Sequence, residues 1–245
     1  MKIGLQMYTL REKMTDPASI RATMRRVKAI GYETVQLAGS LDSMAEAGRI
    51  ALEEGLEVIS FMGGLPTYAE DPAKTFRICK ELGVTDIGIS SGIATVEEAQ
   101  ALIADVNAFA ALAAAEGISF SYHNHSNELI RPDGKTPLLA MLAEGFSENV
   151  CFTPDTYWLQ HGGADVRQWL SILGPRTKVL HVKDMVRIAD GPTYAEIGQG
   201  NLWWEGILPL AKSLDIPYCV VEQDICRRDP FESIQLSFDY LNALL

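Results

Sequence analysis

The sequence predicts a single α/β domain, residues 1–245, folded as a (β/α)8 barrel. Three observations predict this fold. The length of 245 residues matches the roughly 250 residues that are typical of such barrels. Eight short apolar runs begin 24 to 40 residues apart, which is the cadence of a repeated strand–helix unit. Each run is continuously apolar, as expected for parallel strands whose two faces are both covered.

The eight predicted strands follow one another without an intervening linker. No Gly/Ser-rich stretch, charge block or low-complexity segment divides the chain, so the sequence indicates one TIM-barrel domain. The predicted strands are 3–7, 34–37, 58–62, 86–89, 118–122, 150–153, 178–181 and 218–221.

Helix boundary signals lie between the strands. Asp16 and Pro17 predict the start of the first helix, since proline favours a first helical position, and Gly31 predicts its end. Thr95 and Glu98 have the spacing of a capping box. The other boundaries rest on three glycines at helix ends and two residues at helix starts: Gly55, Gly83, Gly117, Asn201 and Pro230.

The acidic charge balance disfavours two classes of partner. The formal net charge is −11 and the pI is about 4.8. Binding to nucleic acid requires a basic surface that neutralises phosphates, and an anionic membrane surface repels an acidic protein. We therefore expect neither a nucleic acid nor a membrane as partner.

The cysteines and the first residues predict a cytoplasmic protein. The four cysteines show no paired short spacing, which favours reduced thiols in a reducing compartment. Two of them, Cys219 and Cys226, flank Glu222, and a catalytic thiol is the less favoured alternative. The chain opens directly on a strand and lacks the basic stretch and apolar run of a signal peptide.

Polar side chains gather at the ends of the predicted strands and not at their beginnings. Catalytic groups of this barrel type lie on the loops after the strands, so we expect these side chains to converge. They are His123, His125, Asp155, His181, Lys183 and Glu222.

Three of these residues predict a metal site. Asp155, His181 and Glu222 end strands six, seven and eight. Two carboxylates and one imidazole suit one divalent ion such as Mn²⁺, Co²⁺, Mg²⁺ or Zn²⁺. The alternative is a set of buried polar groups that knit the barrel mouth together.

The segment after strand five offers further candidates. His123 and His125 are two residues apart and point the same way in an extended chain, so at least one is expected to contact substrate. The alternative is that one of them packs as a neutral imidazole against Trp158. Glu128 lies just past the strand and is either a ligand or base, or a solvated loop carboxylate.

Lys183 is a candidate acid, base or oxyanion partner. A lysine held near a cation has a lowered pKa, because its charged form is disfavoured. Such a group exchanges protons or stabilises a developing enolate oxygen. The alternative is a structural lysine paired with Asp184 or Glu196.

Four further residues are candidate substrate contacts. Gln6 and Tyr8 share one face at the end of strand one and can hydrogen-bond sugar hydroxyls or simply plug the barrel. Trp158 offers an aromatic face to a sugar ring, and of Trp203 and Trp204 one is expected in the core. Glu196 opens a glycine-containing loop that lacks the Lys-Ser/Thr sequence of a phosphate cradle.

The chain resembles the xylose isomerase-like barrels known as sugar phosphate isomerases/epimerases, which include ketose 3-epimerases, hydroxypyruvate isomerase and inosose dehydratase. The resemblance extends over nearly the whole chain and supports the TIM-barrel fold. It rests on QMYTLR (6–11), YHNHSNE (122–128), DTYW (155–158), HVKD (181–184), EIGQG (196–200) and VEQD (221–224).

The resemblance implies a set of metal ligands. The family binds a divalent ion through Glu, Asp, His and Glu on strands five to eight, and Asp155, His181 and Glu222 match the last three positions. At the first position this chain has His123, with Glu128 shortly after. The fourth ligand is therefore either of these two residues.

The resemblance also implies the chemistry, a proton abstraction next to a carbonyl and a metal-stabilised enediolate. Glu222 or His123 would be the base and Lys183 or His125 the proton donor. Arg187 matches a substrate-contacting arginine of the ketose epimerases. The expected substrate is a small sugar or cyclitol, and a homodimer or homotetramer is expected by analogy.

Alternative functions remain at this point. The His123-Asn124-His125 pattern is similar to that of inosose dehydratases, which favours a lyase acting on a keto-cyclitol or keto-glycoside. Loss of the strand-five glutamate also permits a non-catalytic sugar-binding accessory subunit. Phosphodiester hydrolysis, which a DNA repair endonuclease carries out on a similar barrel, is disfavoured by the four histidines and the low pI.

Overall fold

Eight parallel strands form the wall of a barrel in the computed structural model, which describes residues 1–245. Each predicted strand boundary lies within one residue of the observed one, and the (β/α)8 fold is confirmed. The wall strands are β1 Lys2–Gln6, β2 Thr34–Ala38, β3 Glu57–Gly63, β4 Asp86–Ser90, β5 Ser119–His123, β6 Val150–Thr153, β7 Val179–Val182 and β10 Tyr218–Val221.

The barrel closes less regularly between β6 and β7 than elsewhere. Continuous parallel ladders join the other neighbours in the order β6, β5, β4, β3, β2, β1, β10, β7. Between β6 and β7 only two isolated bridges occur, Phe152 with Thr177 and Asp155 with His181. The backbone N–H of His181 also donates to the Pro154 carbonyl at 2.9 Å. This closure sets Asp155 directly beside His181.

Helices cover the outside of the wall, and the main hydrophobic core fills the space between the two layers. The helices are α1 Pro17–Ile30, α2 Leu41–Glu53, α3 Leu65–Ala69, α4 Pro72–Leu82, α5 Val96–Ala115, α6 Leu138–Gly145, α7 Thr156–His161, α8 Val166–Leu173, α9 Trp204–Ser213 and α10 Pro230–Leu244. Short 3-10 helices span Met7–Lys13, Asn127–Leu129 and Gly174–Arg176. No helix combines the length and the hydrophobicity needed to cross a bilayer.

Most of the predicted helix boundaries are confirmed. The Asp16 side chain caps α1 by accepting from two backbone N–H groups, and Gly31 ends the helix with φ of +125°. Thr95 and Glu98 form the predicted capping box of α5. The prediction for Asn201 is wrong: α9 starts three residues later, and the Asn201 Oδ1 instead accepts from the backbone N–H of Arg187 at 2.8 Å.

A hairpin interrupts the connection between β7 and β10. It consists of β8 Asp184–Ile188 and β9 Gly191–Ala195, and it accounts for the longest interval between predicted strands. The segment 196–204 then wraps around the carboxylate of Asp184. Five N–H groups donate to that carboxylate at 2.7–3.2 Å: those of Met185, Gly198, Gly200 and Leu202, and the indole of Trp204. The glycine-containing loop therefore binds an internal carboxylate and not a phosphate.

Candidate functional site

Four buried side chains meet at the C-terminal end of the barrel. His123 is the last residue of β5, Asp155 caps α7 just after β6, His181 lies in β7 and Glu222 follows β10. One donor atom from each lies within 4.8 Å of the others. Ends of parallel strands meet on one face of a barrel, which is why residues distant in sequence converge here.

The contacts within this group leave one of the ring nitrogens unpartnered. Nε2 of His123 is hydrogen-bonded to Oδ2 of Asp155 at 3.2 Å, and Nδ1 of His181 lies 3.1 Å from Oε2 of Glu222. Nδ1 of His181 has no hydrogen-bond partner, although it is buried. Buried acceptors in this arrangement are costly unless a cation or a proton lies among them.

Lys183 supplies one cation beside the group. Its buried Nζ lies 2.9 Å from Oε2 of Glu222, 3.2 Å from Oδ2 of Asp155 and 2.9 Å from Oδ2 of Asp224. Burial disfavours the ammonium, but the three carboxylates together outweigh it and hold the pKa of Lys183 well above its ordinary value. Lys183 is therefore charged at neutral pH.

Two expectations for Lys183 do not match this geometry. The lowered pKa was expected for a lysine beside a bound cation, whereas without an ion the surrounding carboxylates raise the pKa of Lys183. The structural alternative named Asp184 and Glu196 as its partners. Asp184 is instead enclosed by the segment 196–204, and Glu196 accepts a hydrogen bond from Ser233 at 2.8 Å.

The two carboxylates of the group are ionised. Burial raises their pKa values, but Lys183 and the neighbouring imidazoles outweigh it, so the pKa of Asp155 is lowered and that of Glu222 lies well below its ordinary value. Together with Asp224, three carboxylates surround one ammonium, which leaves two negative charges in excess. One divalent cation would balance them.

The donor set therefore fits a divalent metal ion. Two imidazole nitrogens, from His123 and His181, and two carboxylates, from Asp155 and Glu222, form a mixed N/O site. Such sites accept Mn²⁺, Co²⁺, Mg²⁺ or Zn²⁺. The unpartnered Nδ1 of His181 is the observation that a purely structural network does not explain.

Glu128 is not part of this group, in which His123 is the residue from strand five. Glu128 is fully buried, so it is not a solvated loop carboxylate either. Its Oε1 accepts from the Tyr122 hydroxyl at 2.7 Å and its Oε2 from the backbone N–H of His125 at 2.9 Å. These bonds fix the turn after β5 and engage both carboxylate oxygens of Glu128.

A cavity of about 260 Å³ opens in front of the group. His125 lines it, with its ring 5.0 Å from that of His123. Burial and the neighbouring His123 lower the pKa of His125, so its imidazole is neutral at neutral pH. The other lining residues are Gln6, Tyr8, Ala38, Met62, Gly63, Ser90, His123, His181, Lys183, Glu222 and Asp224.

Aromatic rings stand beside Lys183. The ring of Trp158 is 5.6 Å from its Nζ and 5.2 Å from the ring of His125. Tyr194, from the hairpin, lies 5.9 Å from the same Nζ and stacks on Tyr157 at 4.3 Å. Trp158, a predicted substrate contact, stands beside Lys183 and His125, which line the cavity, but is not itself one of the lining residues.

The tryptophans that follow the glycine-containing loop do not frame the cavity. Trp203 is 58% exposed and lies against Arg167. Trp204 is buried and donates to Asp184 at 2.7 Å. The expectation that one of the two belongs to the core is met by Trp204.

Comparison with known proteins identifies the family. The xylose isomerase-like TIM barrel family matches residues 24–244. The chain belongs to this family. None of the curated proteins matches the chain significantly.

Solved structures of the xylose isomerase-like barrels cover nearly all of the chain. A sugar phosphate isomerase/epimerase from Parabacteroides distasonis is 25% identical, with a TM-score of 0.83, and the match covers 98% of this chain and 97% of that one. A probable 3-DHS dehydratase from Bacillus anthracis is 13% identical, with a TM-score of 0.78 and coverage of 99% of both chains. A xylose isomerase-like protein from Mycobacterium smegmatis in complex with magnesium is 15% identical, with a TM-score of 0.72 and coverage of 99% and 96%.

Two of the expected substrate contacts, Arg187 and Glu196, do not line the cavity. Arg187 is exposed on the hairpin, which carries it away from the strand ends. Glu196 is buried against α10, where it contacts Ser233 and Arg228. Neither residue lines the cavity.

Three residues of the site were missed by the sequence analysis. Gln36 is a fully buried amide in the middle of an apolar run, and that break in hydrophobicity was a usable signal. Asp224 follows Glu222 by two residues, a spacing that keeps the same direction in a strand. Tyr194 lies on the inserted hairpin, and no sequence pattern pointed to it.

Proposed function

We propose that this protein is a metal-dependent sugar isomerase or epimerase that removes a proton from the carbon beside a carbonyl group. The observation that carries the proposal is the group of four donor atoms within 4.8 Å of one another at successive strand ends. Membership of the xylose isomerase-like family supports it, as does the relative named sugar phosphate isomerase/epimerase.

His123, Asp155, His181 and Glu222 would hold one ion, which is Mn²⁺, Co²⁺, Mg²⁺ or Zn²⁺. When bound, such an ion polarises a carbonyl oxygen and makes the adjacent C–H bond more acidic. A magnesium complex is known for a relative with the same fold. The charge excess of the surrounding carboxylates is consistent with a divalent ion.

Glu222 and Lys183 are the proposed base and acid. Glu222 lines the cavity and is ionised, so it can accept the proton from the carbon. Lys183 is charged, and its ammonium can donate a hydrogen bond or a proton to the oxygen that develops negative charge. His125, a neutral imidazole on the same cavity, is placed to relay the proton back.

The proposed substrate is an uncharged sugar or cyclitol. Among the lining residues Lys183 is the only permanent cation, and three carboxylates already surround it. A phosphate group would meet a net negative wall. Tyr8 offers a hydrogen bond to hydroxyl groups, and Trp158 offers an aromatic face beside Lys183. Gln6 is buried, with its amide bonded to Tyr8 and Gln36, so it supports the cavity wall and does not bind the sugar.

A second candidate is a lyase that eliminates water after the same proton abstraction. It is favoured by the imidazole of His123 at the strand-five position, because symmetrical epimerisation requires a second base of equal kind opposite Glu222. With Glu222 as base and Lys183 as acid, the two groups differ in kind, as the loss of a hydroxyl requires. The probable dehydratase among the related structures shares the fold.

The first test is metal content of the purified protein, with thermal unfolding in added Mn²⁺, Co²⁺, Mg²⁺ and Zn²⁺. About one ion per chain that is lost in Asp155→Ala and Glu222→Ala is the expected result. Ketoses and keto-cyclitols in D₂O then separate the two chemistries. Deuterium in a sugar of unchanged composition indicates isomerisation, whereas loss of one water by mass indicates elimination. A wild type that neither binds nor is stabilised by any ion favours a sugar-binding accessory role.

A further inference from the structure

A chain of side-chain amides runs beneath the metal-binding group inside the barrel. The backbone N–H of Tyr8 donates to Oε1 of Gln6 at 3.1 Å, and Nε2 of Gln6 donates to Oε1 of Gln36 at 2.7 Å. The same Oε1 of Gln36 lies 2.5 Å from Nε2 of His181. Gln6, Gln36 and His181 are each no more than 1% exposed, so water does not substitute for these contacts.

The direction of this chain is fixed at its start. A backbone N–H can only donate, so the atom of Gln6 that faces Tyr8 must be its carbonyl oxygen. The amide nitrogen of Gln6 then faces Gln36 and donates to it, so the accepting atom of Gln36 must be its carbonyl oxygen. That oxygen can only accept, so the nearby Nε2 of His181 must carry a hydrogen.

The other end of the chain has the same polarity. Nε2 of Gln36 lies 3.2 Å from Oγ of Ser60, and that hydroxyl lies 2.9 Å from Oδ2 of Asp86. An ionised carboxylate accepts only, so Ser60 donates to Asp86 and accepts from Gln36. Both ends therefore orient the Gln36 amide with its oxygen toward His181.

We propose that Gln36 is a positioning residue that holds His181 as the Nε2–H tautomer, so that the lone pair of Nδ1 is presented to the metal ion. The inference rests on the proposed metal site. Nδ1 is the atom that lies 3.1 Å from Glu222 and lacks a hydrogen-bond partner. Metal-binding histidines commonly donate their second ring N–H to an acceptor, which sets the tautomer and the ring orientation.

The tautomer is measured on the metal-free protein by two-bond ¹H–¹⁵N NMR of labelled histidines, at a pH where the imidazoles are neutral. His181→Asn assigns the signal. In the wild type, and in Gln36→Glu, which keeps an acceptor oxygen, His181 is expected as Nε2–H. In Gln36→Met, which removes the acceptor, a mixture with Nδ1–H is expected. Ser60→Ala should keep the wild-type tautomer, because the hydrogen bonds from Tyr8 to Gln6 and from Gln6 to Gln36 remain and still orient the Gln36 amide.

A wild-type His181 in the Nδ1–H form, or an unchanged tautomer in Gln36→Met, overturns the inference. If Gln36→Met does not fold by circular dichroism, the double variant Gln6→Met with Ser60→Ala answers the same question, because it removes both contacts that orient the Gln36 amide. A mixture of tautomers in the double variant supports the proposal, and a pure Nε2–H form contradicts it.

Calorimetric titration with Mn²⁺ separates this inference from the proposed function. Loss of such a supporting contact typically weakens metal binding about 10- to 100-fold, and this is the expected effect of Gln36→Met. Equal affinity in wild type and Gln36→Met overturns the positioning role while the metal site stands. If the wild type binds no ion but the tautomer behaves as expected, the proposed function fails and the tautomer assignment stands.

Discussion

The ammonium of Lys183 lies 2.9 Å from Oε2 of Glu222, the same oxygen that faces Nδ1 of His181 at 3.1 Å. The lysine and the proposed metal ion therefore act on the same carboxylate. Asp224, also 2.9 Å from the ammonium, is the partner that Lys183 does not share with the metal-binding group. If the Lys183 ammonium is removed, the stability of the site should depend more strongly on the metal ion, and the converse should hold if the ion is removed.

Lys183→Met should destabilise the metal-free protein by about 3–5 kcal/mol, because it leaves buried carboxylates without their counter-charge. Added Mn²⁺ should restore more stability to this variant than to the wild type. The measurement is urea unfolding with and without the ion. Lys80→Met is the matched control: Lys80 pairs with Glu116 on the surface, where loss of a pair costs about 0–1 kcal/mol. A similar loss of unfolding free energy in Lys183→Met and Lys80→Met would contradict the interpretation that Lys183 neutralises buried carboxylates.

His123→Ala and Glu128→Gln should differ in metal content. His123 belongs to the group of donor atoms, so its removal should lower the amount of bound ion. Glu128→Gln should keep the ion and lose at most about 1 kcal/mol of stability, because its amide oxygen can accept from the backbone N–H of His125 and its N–H₂ can donate to the Tyr122 hydroxyl, which donates to the Ser91 carbonyl. Metal analysis combined with unfolding measures both effects. Loss of the ion in Glu128→Gln alone would return the fourth-ligand role to Glu128.

Asp86 should make stability fall as pH rises through the range from about 4 to about 6. Burial raises the pKa of Asp86 from 3.8 to about 6 in the folded protein, although the hydrogen bonds from Ser121 and Ser60 act in the opposite direction and lower it. The folded state therefore holds the proton more tightly than the unfolded state, and this contribution is complete below the unfolded pKa and lost above the folded one. Asp86→Asn should remove the dependence and gain up to about 3 kcal/mol at pH 7.5.

Urea unfolding of the wild type and Asp86→Asn at pH 5 and pH 7.5 checks this prediction. The control is Asp105→Asn, because Asp105 is exposed. A wild type that gains stability relative to Asp86→Asn between the two pH values would contradict the raised pKa.

Trp158→Leu should raise KM for the sugar about 3- to 10-fold with a smaller change in kcat, because an aromatic contact contributes about 0.5–1.5 kcal/mol beyond its buried area. Steady-state kinetics with the substrate identified in the D₂O screen measures the change. Trp203→Leu is the control, since Trp203 is exposed and contacts Arg167, whereas Trp158 contacts Lys183 and His125, which line the cavity. Equal effects of the two substitutions would place the sugar elsewhere.

Strand positions and most members of the candidate metal-binding group were predictable from local sequence. The eight apolar runs located every wall strand, because parallel strands covered on both faces are apolar throughout. Asp155, His181 and Glu222 were found as polar residues directly after such runs. The hairpin at 184–195 was not predicted, since its residues are partly exposed and lack a clear alternation.

The sequence by itself determined the barrel and the strand ends from which the candidate ligands project, because hydrophobic periodicity and helix caps are local properties. Only the tertiary structure placed His123, and not Glu128, in the group of candidate ligands, enclosed Asp184 in the segment 196–204 and surrounded Lys183 with three carboxylates. These outcomes depend on distances between residues far apart in the chain. The pKa of Lys183 shows the reason: burial and neighbouring charges oppose each other, and their balance is set by packing that no local pattern encodes.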